Sequence, residues 1–457
     1  MKSFYNALPV RNGLLSIIPD CETTFMASHL ECILCHQQYS LDLLFHECQD
    51  CGGLLDVNYS FSTIDPKALK IDFMNRRLSP AIQDQSGVWR FRELLPFITD
   101  VGSVISLREG NTPLYDLPRL AQKSALGRFS AKHQGMNPTG SFKDNGMTTA
   151  ITQAKRLRVG AVICASTGNT AASMAAYAAR AHIRAIVLIP EGQIASGKLA
   201  QAIDYGARVV QIQGDFDRAM TMVQELSREG RAYLLNSVNP FRLEGQKTIL
   251  IELMEQRGWI PPDRIVLPAG NLGNCSAFGK ALKELYDLKL INRLPRLTMV
   301  QAAGANPFVE LVRSGSGQLK PMHADTLATA IKIGNPVSWK KALRAIEWAG
   351  GNAVEVSEEE IADARALLAL EGIGCEPASA ATLAGTMKLS RERALGSAED
   401  VVAILTGHQL KDPEYILQYH QGTLAYAGQS IAGQYQNKMT RIPAELNALR
   451  NLLSEHD

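Results

Sequence analysis

From about residue 105 onward, short apolar runs alternate with longer segments in which apolar residues recur every three or four positions. The runs are 161–165, 185–189, 209–212, 233–235, 265–267, 298–302 and 401–405. Runs this short, apolar at most positions rather than at alternate ones, read as strands buried on both faces. Between them lie helix-length segments such as 170–181, 215–228, 244–256 and 275–288. After Asp144, the residues Met147, Ala150, Ile151, Ala154 and Leu157 share one helical face. Ser357 with Glu360 forms a capping box that opens a helix ending near Gly372. Strand–helix alternation of this kind predicts an α/β fold with parallel sheets covered on both sides. No short-period repeat is present.

The flanks read differently. Residues before 28 lack periodicity. Residues 59–104 carry Pro66, Pro80 and Pro96 and the basic pair Arg76 and Arg77, and read as a linker with short helices, one of them near Trp89 and Phe97. Residues 411–457 read as a helical, amphipathic tail packed on the body.

Composition narrows the function classes. The 457 residues are 46% hydrophobic and 20% charged, with a net charge of +2 and a mean hydropathy of −0.06. This is an ordinary globular chain, without the basic footprint of a nucleic-acid binder. No stretch approaches the roughly 18 apolar residues that cross a bilayer. The apolar run 14–19 is too short for a signal-peptide core, and Asp20 and Glu22 follow at once. A cytoplasmic location is the expectation.

Cysteine adds the first chemistry. Cys32-x2-Cys35 and Cys48-x2-Cys51 stand twelve residues apart. Each pair offers two thiolates from one tight turn, and two such turns close a tetrahedron around zinc. Residues 28–58 therefore read as a zinc ribbon whose four thiolates leave no open position, so the metal is structural. His29, His36 and His46 lie nearby and could replace a ligand, but each reads as a surface residue. Cys21, Cys164, Cys275 and Cys375 sit among apolar neighbours and read as small hydrophobes.

Four loops fall at or beside strand ends, where open α/β sheets bind ligands. They are Asn137-Pro-Thr-Gly-Ser-Phe-Lys-Asp144, Ser166-Thr-Gly-Asn-Thr170, Gly270-Asn-Leu-Gly-Asn274 and Leu405-Thr-Gly-His408. Lys143 follows a Pro-Thr-Gly turn beside Phe142. It reads either as a solvated charge or as a partly buried amine whose lowered pKa makes it a nucleophile. The 270–274 turn either merely joins a strand to a helix or cradles a phosphate at the helix start. Together, a phosphate cradle and a Schiff-base lysine suggest pyridoxal 5′-phosphate.

These loops, with Glu109-Gly-Asn-Thr-Pro-Leu114, Asn236-Ser-Val-Asn-Pro-Phe-Arg242, Glu244-Gly-Gln-Lys-Thr248, Glu376-Pro-Ala-Ser-Ala380 and Lys411-Asp-Pro413, resemble the threonine synthases, fold-type II pyridoxal-phosphate enzymes. The resemblance spans about residues 104–413, and some members also carry a cysteine-rich N-terminal ribbon. It implies two parallel-sheet α/β domains of the tryptophan synthase β-like kind within a body at 105–410, the smaller, inner one at about 145–240. It also implies a homodimer.

The resemblance assigns roles residue by residue. Lys143 would carry the cofactor. Asn169 would bond its phenolic oxygen. Gly270, Asn271, Leu272, Gly273 and Asn274 would cradle its phosphate. Thr406 would face the pyridine nitrogen with a neutral hydroxyl, leaving the ring a weaker electron sink. Ser166, Thr167, Asn169 and Thr170 would hold the substrate carboxylate. Lys198, Ser237 and Arg242 match positions that hold a second, substrate phosphate; otherwise Lys198 and Arg242 read as solvated helix residues. Asn145 stands where the family often has arginine. The implied reaction converts O-phospho-L-homoserine and water to L-threonine and phosphate. Rivals are a cysteate synthase-like enzyme using O-phosphoserine and sulfite, a serine/threonine dehydratase needing no second phosphate site, and a zinc-ribbon interaction protein with an inactive body.

Overall fold

The computed structural model describes residues 28–61, 64–192 and 196–454. Cys21 and the apolar run 14–19 lie outside the described residues.

The chain begins with a three-stranded antiparallel sheet of β1 (Ser28–Cys32), β2 (Gln38–Tyr39) and β3 (Leu55–Tyr59), in the order β2-β1-β3. Leu30, Leu55 and Val57 are fully buried beneath it. Next comes α1 (Pro66–Arg76), with Pro66 at its first turn and Asp65 capping it by accepting from the Lys67 N–H at 2.9 Å. The 59–104 stretch differs from a plain linker. Trp89 and Phe91 are fully buried, and the Trp89 indole donates to Thr148 Oγ1 at 2.8 Å. Where a short helix is expected near Trp89 and Phe97, a 3₁₀ turn runs over Trp89–Leu94.

The body runs in chain order through β4 (Leu114–Asp116), α2 (Pro118–Lys123), β5 (Arg128–His133), α3 (Lys143–Arg156), β6 (Ala161–Ala165), α4 (Asn169–Ala181), β7 (Arg184–Pro190), α5 (Ser196–Asp204), β8 (Arg208–Ile212), α6 (Phe216–Arg228) and β9 (Tyr233–Leu234). It continues through α7 (Pro240–Gln256), β10 (Arg264–Pro268), α8 (Gly273–Asp287), β11 (Arg296–Ala302), α9 (Pro307–Ser314), α10 (Trp339–Ala349), β12 (Asn352–Val356), α11 (Glu358–Leu370), α12 (Pro377–Arg391) and β13 (Asp400–Leu405). The smaller sheet, β8-β7-β6-β9, is parallel throughout. The larger, β12-β11-β10-β13-β5-β4, is parallel except for the edge strand β4.

All seven apolar runs are strands, and successive residues pack on opposite faces as the pleat demands. In the larger sheet Ile265 and Leu267 join one core with α7, α8 and α10, while Val266 joins another with α11 and α12. In the smaller sheet Val162 and Cys164 face α3 and α4, whereas Ile163 and Ala165 face α6. Cys164, Cys275 and Cys375 are fully buried among apolar groups. Ser357 and Glu360 form the capping box that starts α11.

Residues 411–457 are less helical than their periodicity predicts. They hold α13 (Pro413–Gln421), a hairpin of β14 (Ala425–Tyr426) and β15 (Gln429–Ser430), and α14 (Leu446–Ser454). Gly422 and Gly428 take left-handed φ of 73° and 78° and so end helical growth. Tyr419, Leu424 and Ile431 pack on Ala362 and Ala366 of α11, but α14 has no buried residue.

Candidate active site

The lysine loop is built by its own hydrogen bonds. Gly140 adopts a left-handed φ of 81°, which turns the chain back after Pro138 and Thr139. The Asp144 carboxylate accepts from the Thr139 N–H at 2.7 Å, Thr139 Oγ1 at 2.6 Å and Ser173 Oγ at 2.5 Å. Burial nonetheless raises Asp144 to a pKa of about 6. Lys143 is the first residue of α3, half-buried, with its ammonium 4.2 Å from the Phe142 ring centre. Burial first, and the charge of Arg242 second, bring its pKa down to about 7 against the pull of Glu376. The loop is stitched to the end of β13. Phe142 N–H donates to the Thr406 carbonyl at 2.9 Å, and His408 N–H to the Gly140 carbonyl at 2.9 Å.

The other loops meet around Glu376. Asn169 Nδ2 donates to Glu376 Oε2 at 3.0 Å, and Thr406 Oγ1 to Oε1 at 3.4 Å. The Asn169 side-chain oxygen is buried without a partner among the described residues. Gly407 is required here, since a Cβ on it would sit 2.3 Å from the Glu376 carboxyl carbon. Ser166 Oγ accepts from Gly168 N–H at 3.1 Å, and α4 then starts without a side-chain cap. α8 starts uncapped too, after Leu272 takes a left-handed φ of 63°. Asn271 anchors this turn by accepting from Val337 N–H at 2.7 Å and donating to Ser237 Oγ at 3.2 Å. Asn274 braces it by donating to the Pro268 carbonyl at 3.0 Å. A Cβ on Gly270 would lie 3.0 Å from the Ala330 carbonyl oxygen.

Arg242 and Lys198 are buried, so neither is the solvated helix residue of the plainer reading. Arg242 donates to the Leu235 carbonyl at 2.9 Å, its Nε has no partner, and no carboxylate among the described residues pairs with it. Burial lowers its pKa to about 10. Lys198 instead reaches across to Asp412 at 2.9 Å and Thr329 Oγ1 at 3.0 Å, with Glu376 3.9 Å away. The structure thus joins Ser237 to the 270–274 turn and sets Arg242 near Lys143, while Lys198 bonds to Asp412 rather than to Ser237 or Arg242. Asn145 is buried with neither amide atom paired, and nothing in the structure explains it.

Two residues of the quoted motifs, Glu376 and Asp412, have no role assigned from the sequence yet stand at the site. Glu376 makes no capping bond at the start of α12 and turns into the site, where burial raises its pKa. Asp412 joins only through a contact with a lysine 214 positions away.

In the ribbon the four sulfurs of Cys32, Cys35, Cys48 and Cys51 lie within 4.8 Å of one another, with separations of 3.4 Å between Cys32 and Cys51 and 3.5 Å between Cys35 and Cys48. Four sulfurs at about 2.3 Å from one tetrahedral zinc would be spaced close to this, so the cluster fits a structural zinc. The histidines are outside this set. His36 is exposed and His29 part-exposed, as surface residues are, but His46 is buried and bonds to the Leu234 carbonyl at 3.0 Å.

Residues 105–407 match the pyridoxal-phosphate dependent enzyme family. The threonine synthase of Methanocaldococcus jannaschii is 44% identical over 426 residues, 93% of this chain and 99% of that one. That of Methanosarcina acetivorans is 47% identical over 391 residues, covering 85% and 93%. Among solved structures, an L-serine ammonia-lyase from Rhizomucor miehei superposes with a TM-score of 0.59 at 22% identity, covering 69% of this chain and 99% of that one, and so shares the fold. The processed threonine deaminase isoform 2 of Solanum lycopersicum gives 0.58 at 19% identity, covering 78% and 94%. The orphaned Asn169 oxygen, the uncapped start of α8, the close-fitting Gly270 and the low-pKa amine of Lys143 suit pyridoxal phosphate. On sequence, fold and site chemistry together, the chain belongs to the threonine synthases of the pyridoxal-phosphate dependent enzyme family.

Proposed function

We propose that this chain converts O-phospho-L-homoserine and water to L-threonine and phosphate. The observation that carries the substrate choice is Arg242, a buried arginine near enough for its charge to lower the Lys143 pKa and with no carboxylate partner among the described residues. A buried cation left unpaired by the protein is an anion site, and a phosphorylated amino acid brings a second anion where serine or threonine brings none.

In this reading Lys143 would hold the cofactor, Asn169 would bond its phenolic oxygen, Thr406 would lie toward its ring nitrogen, and Gly270, Asn271, Leu272, Gly273 and Asn274 would hold its phosphate. The bound cofactor supplies an electron sink conjugated to the substrate Cα. The 166–170 loop at the start of α4 orients the substrate carboxylate with Ser166, Thr167, Asn169 and Thr170. Lys143 would remove the Cα proton and later return it, work suited to an amine whose pKa burial brings down to about 7. Arg242 and Ser237 grip the phosphate as it leaves Cγ, and Lys198 reaches it by giving up Asp412. For the reaction to balance, Cβ would lose one proton as the phosphate departs and Cγ would take one up to become the methyl group; water would then supply the hydroxyl at Cβ, and Cα would regain its proton.

The proposal takes 28–58 as the zinc ribbon and 105–410 as the catalytic body, with about 145–240 as its inner domain. It includes a cytoplasmic homodimer with no nucleic-acid partner; the near-neutral charge supports the last point. No helix among the described residues is long and apolar enough to cross a membrane.

The test is competition between substrates. Purified enzyme is given phosphohomoserine, phosphoserine with sulfite, or threonine alone. Phosphate and threonine from the first, at the highest kcat/KM, is expected. Faster turnover of phosphoserine with sulfite, or oxoacid from threonine, would overturn the assignment in favour of a cysteate synthase or a dehydratase.

A further inference from the structure

The ribbon meets the body at several places, among them the Leu41 carbonyl, which accepts from Gln153 Nε2 at 2.7 Å, and Glu47, which pairs with Arg228 at 2.9 Å; two more bear on α10 and α7. At one, Asp56 of β3 pairs with Lys341 at 2.6 Å and Arg344 at 2.5 Å on α10. The other is the 234–244 segment, which carries Ser237 and Arg242. His46, two residues before Cys48, donates its Nε2–H to the Leu234 carbonyl at 3.0 Å, and its ring meets Tyr233 edge-on at 4.9 Å. The same carbonyl accepts from Asn239 Nδ2 at 2.9 Å, and Asn239 Oδ1 caps α7 by accepting from Phe241 N–H at 3.0 Å. Ten residues further on, the Tyr59 hydroxyl at the end of β3 donates to buried Glu244 Oε2 at 2.7 Å. Glu244 is held as well by Lys247 at 2.6 Å and by Lys280, which also bonds the Val57 carbonyl.

Arg242 stands between these two anchors. Its guanidinium donates to the Leu235 carbonyl, next to the carbonyl that His46 holds. The direction of the guanidinium is thus set by backbone the ribbon fixes on one side at Leu234 and on the other at Glu244. We propose that the ribbon is a brace for the second anion site, with His46 and Tyr59 as positioning residues that aim Arg242 and Ser237 at the substrate phosphate. The idea rests on the reading of Arg242 as a phosphate ligand.

The experiment uses the zinc- and cofactor-loaded enzyme and two probes: inorganic phosphate, as an inhibitor competing with phosphohomoserine, and threonine, which has no phosphate, followed by the change in cofactor absorbance. Loss of one hydrogen bond from the brace predicts that His46→Ala weakens phosphate inhibition and raises KM about five- to tenfold, with threonine binding unchanged. His46→Gln, whose amide N–H can reach the Leu234 carbonyl, should restore phosphate affinity, and Tyr59→Phe should weaken phosphate in the same selective way. If His46→Ala fails to retain zinc, the decision falls to Tyr59→Phe and His46→Gln. Phosphate affinity unchanged in His46→Ala and Tyr59→Phe, or phosphate and threonine affinity falling together, would overturn the brace. Arg242→Ala is measured beside them. If it leaves phosphate inhibition intact, the phosphate site itself is misplaced; if it abolishes inhibition while the ribbon variants do not weaken it, only the brace fails.

Discussion

Replacing Arg242 by methionine separates a binding role from a structural one, because the structure predicts opposite signs for the two. The guanidinium is 1% exposed and lacks a carboxylate partner among the described residues. Held at about 10 against an ordinary 12.5, its charged form is penalised by about 3 kcal/mol at roughly 1.4 kcal/mol per pH unit. Methionine keeps the apolar stem and removes that penalty. It also removes the bond to the Leu235 carbonyl, at a cost of about 1–3 kcal/mol. Ligand-free stability should therefore stay level or rise by up to about 2 kcal/mol. Phosphate should lose two parallel charge-assisted bonds, about 3–4 kcal/mol together, or roughly two to three powers of ten in affinity. Urea midpoints with and without inorganic phosphate read both quantities, since phosphate at about 100 times its Kd adds about 2.7 kcal/mol to a protein that binds it. A variant that loses more than about 2 kcal/mol without phosphate, yet is still stabilised by phosphate like the wild type, would refute the reasoning and make Arg242 a structural residue.

Cofactor uptake by the apoenzyme requires the free amine of Lys143, so its rate should climb with pH around about 7 and level off above it, rather than climbing toward the usual lysine range; a rise centred near 10 would contradict this. Lys143→Ala should remain folded without the visible absorbance of bound cofactor, and borohydride reduction of the wild type should leave the cofactor on the peptide containing Lys143, not another lysine. Lys132→Met strands the buried Glu252 carboxylate, which predicts a loss of about 3–5 kcal/mol in denaturant titration, partly recovered by adding Glu252→Gln. Metal analysis of protein purified without chelator should find one zinc per chain.

What could be read from the chain depended on how local its cause was. Strands β6, β7, β10, β11 and β13 are buried on both faces, so their apolar character is continuous and plain. β5 hides because Lys132 interrupts it, and that lysine is neutralised by Glu252, 120 positions away. Lys143 stood out because a proline, a threonine and a glycine next to it dictate its turn. Nothing near His46 in the chain marks it as buried, because the carbonyl it bonds to is 188 positions off. Glu376 and Asp412 take their places only when separate loops converge, and no periodicity announces such a meeting. The reading of 411–457 as helix failed at two glycines whose left-handed backbone outweighs a helical apolar pattern.

The pairing of β5 with β13 has a consequence for how the protein is born. Register runs from Arg128 opposite Asp400 to His133 opposite Leu405, so strands from opposite ends of the body are neighbours. β13 also fills the slot between β5 and β10. Until the ribosome delivers it, β4 with β5 and β10 with β11 and β12 are two fragments, each with a bare strand edge facing the other. Such edges invite pairing with foreign chains. The same late strand brings Thr406, whose carbonyl ties down the lysine loop through Phe142. A nascent chain stalled before residue 400 therefore lacks both the closure of its main sheet and a settled lysine. Loading with cofactor can serve as a report that synthesis has finished.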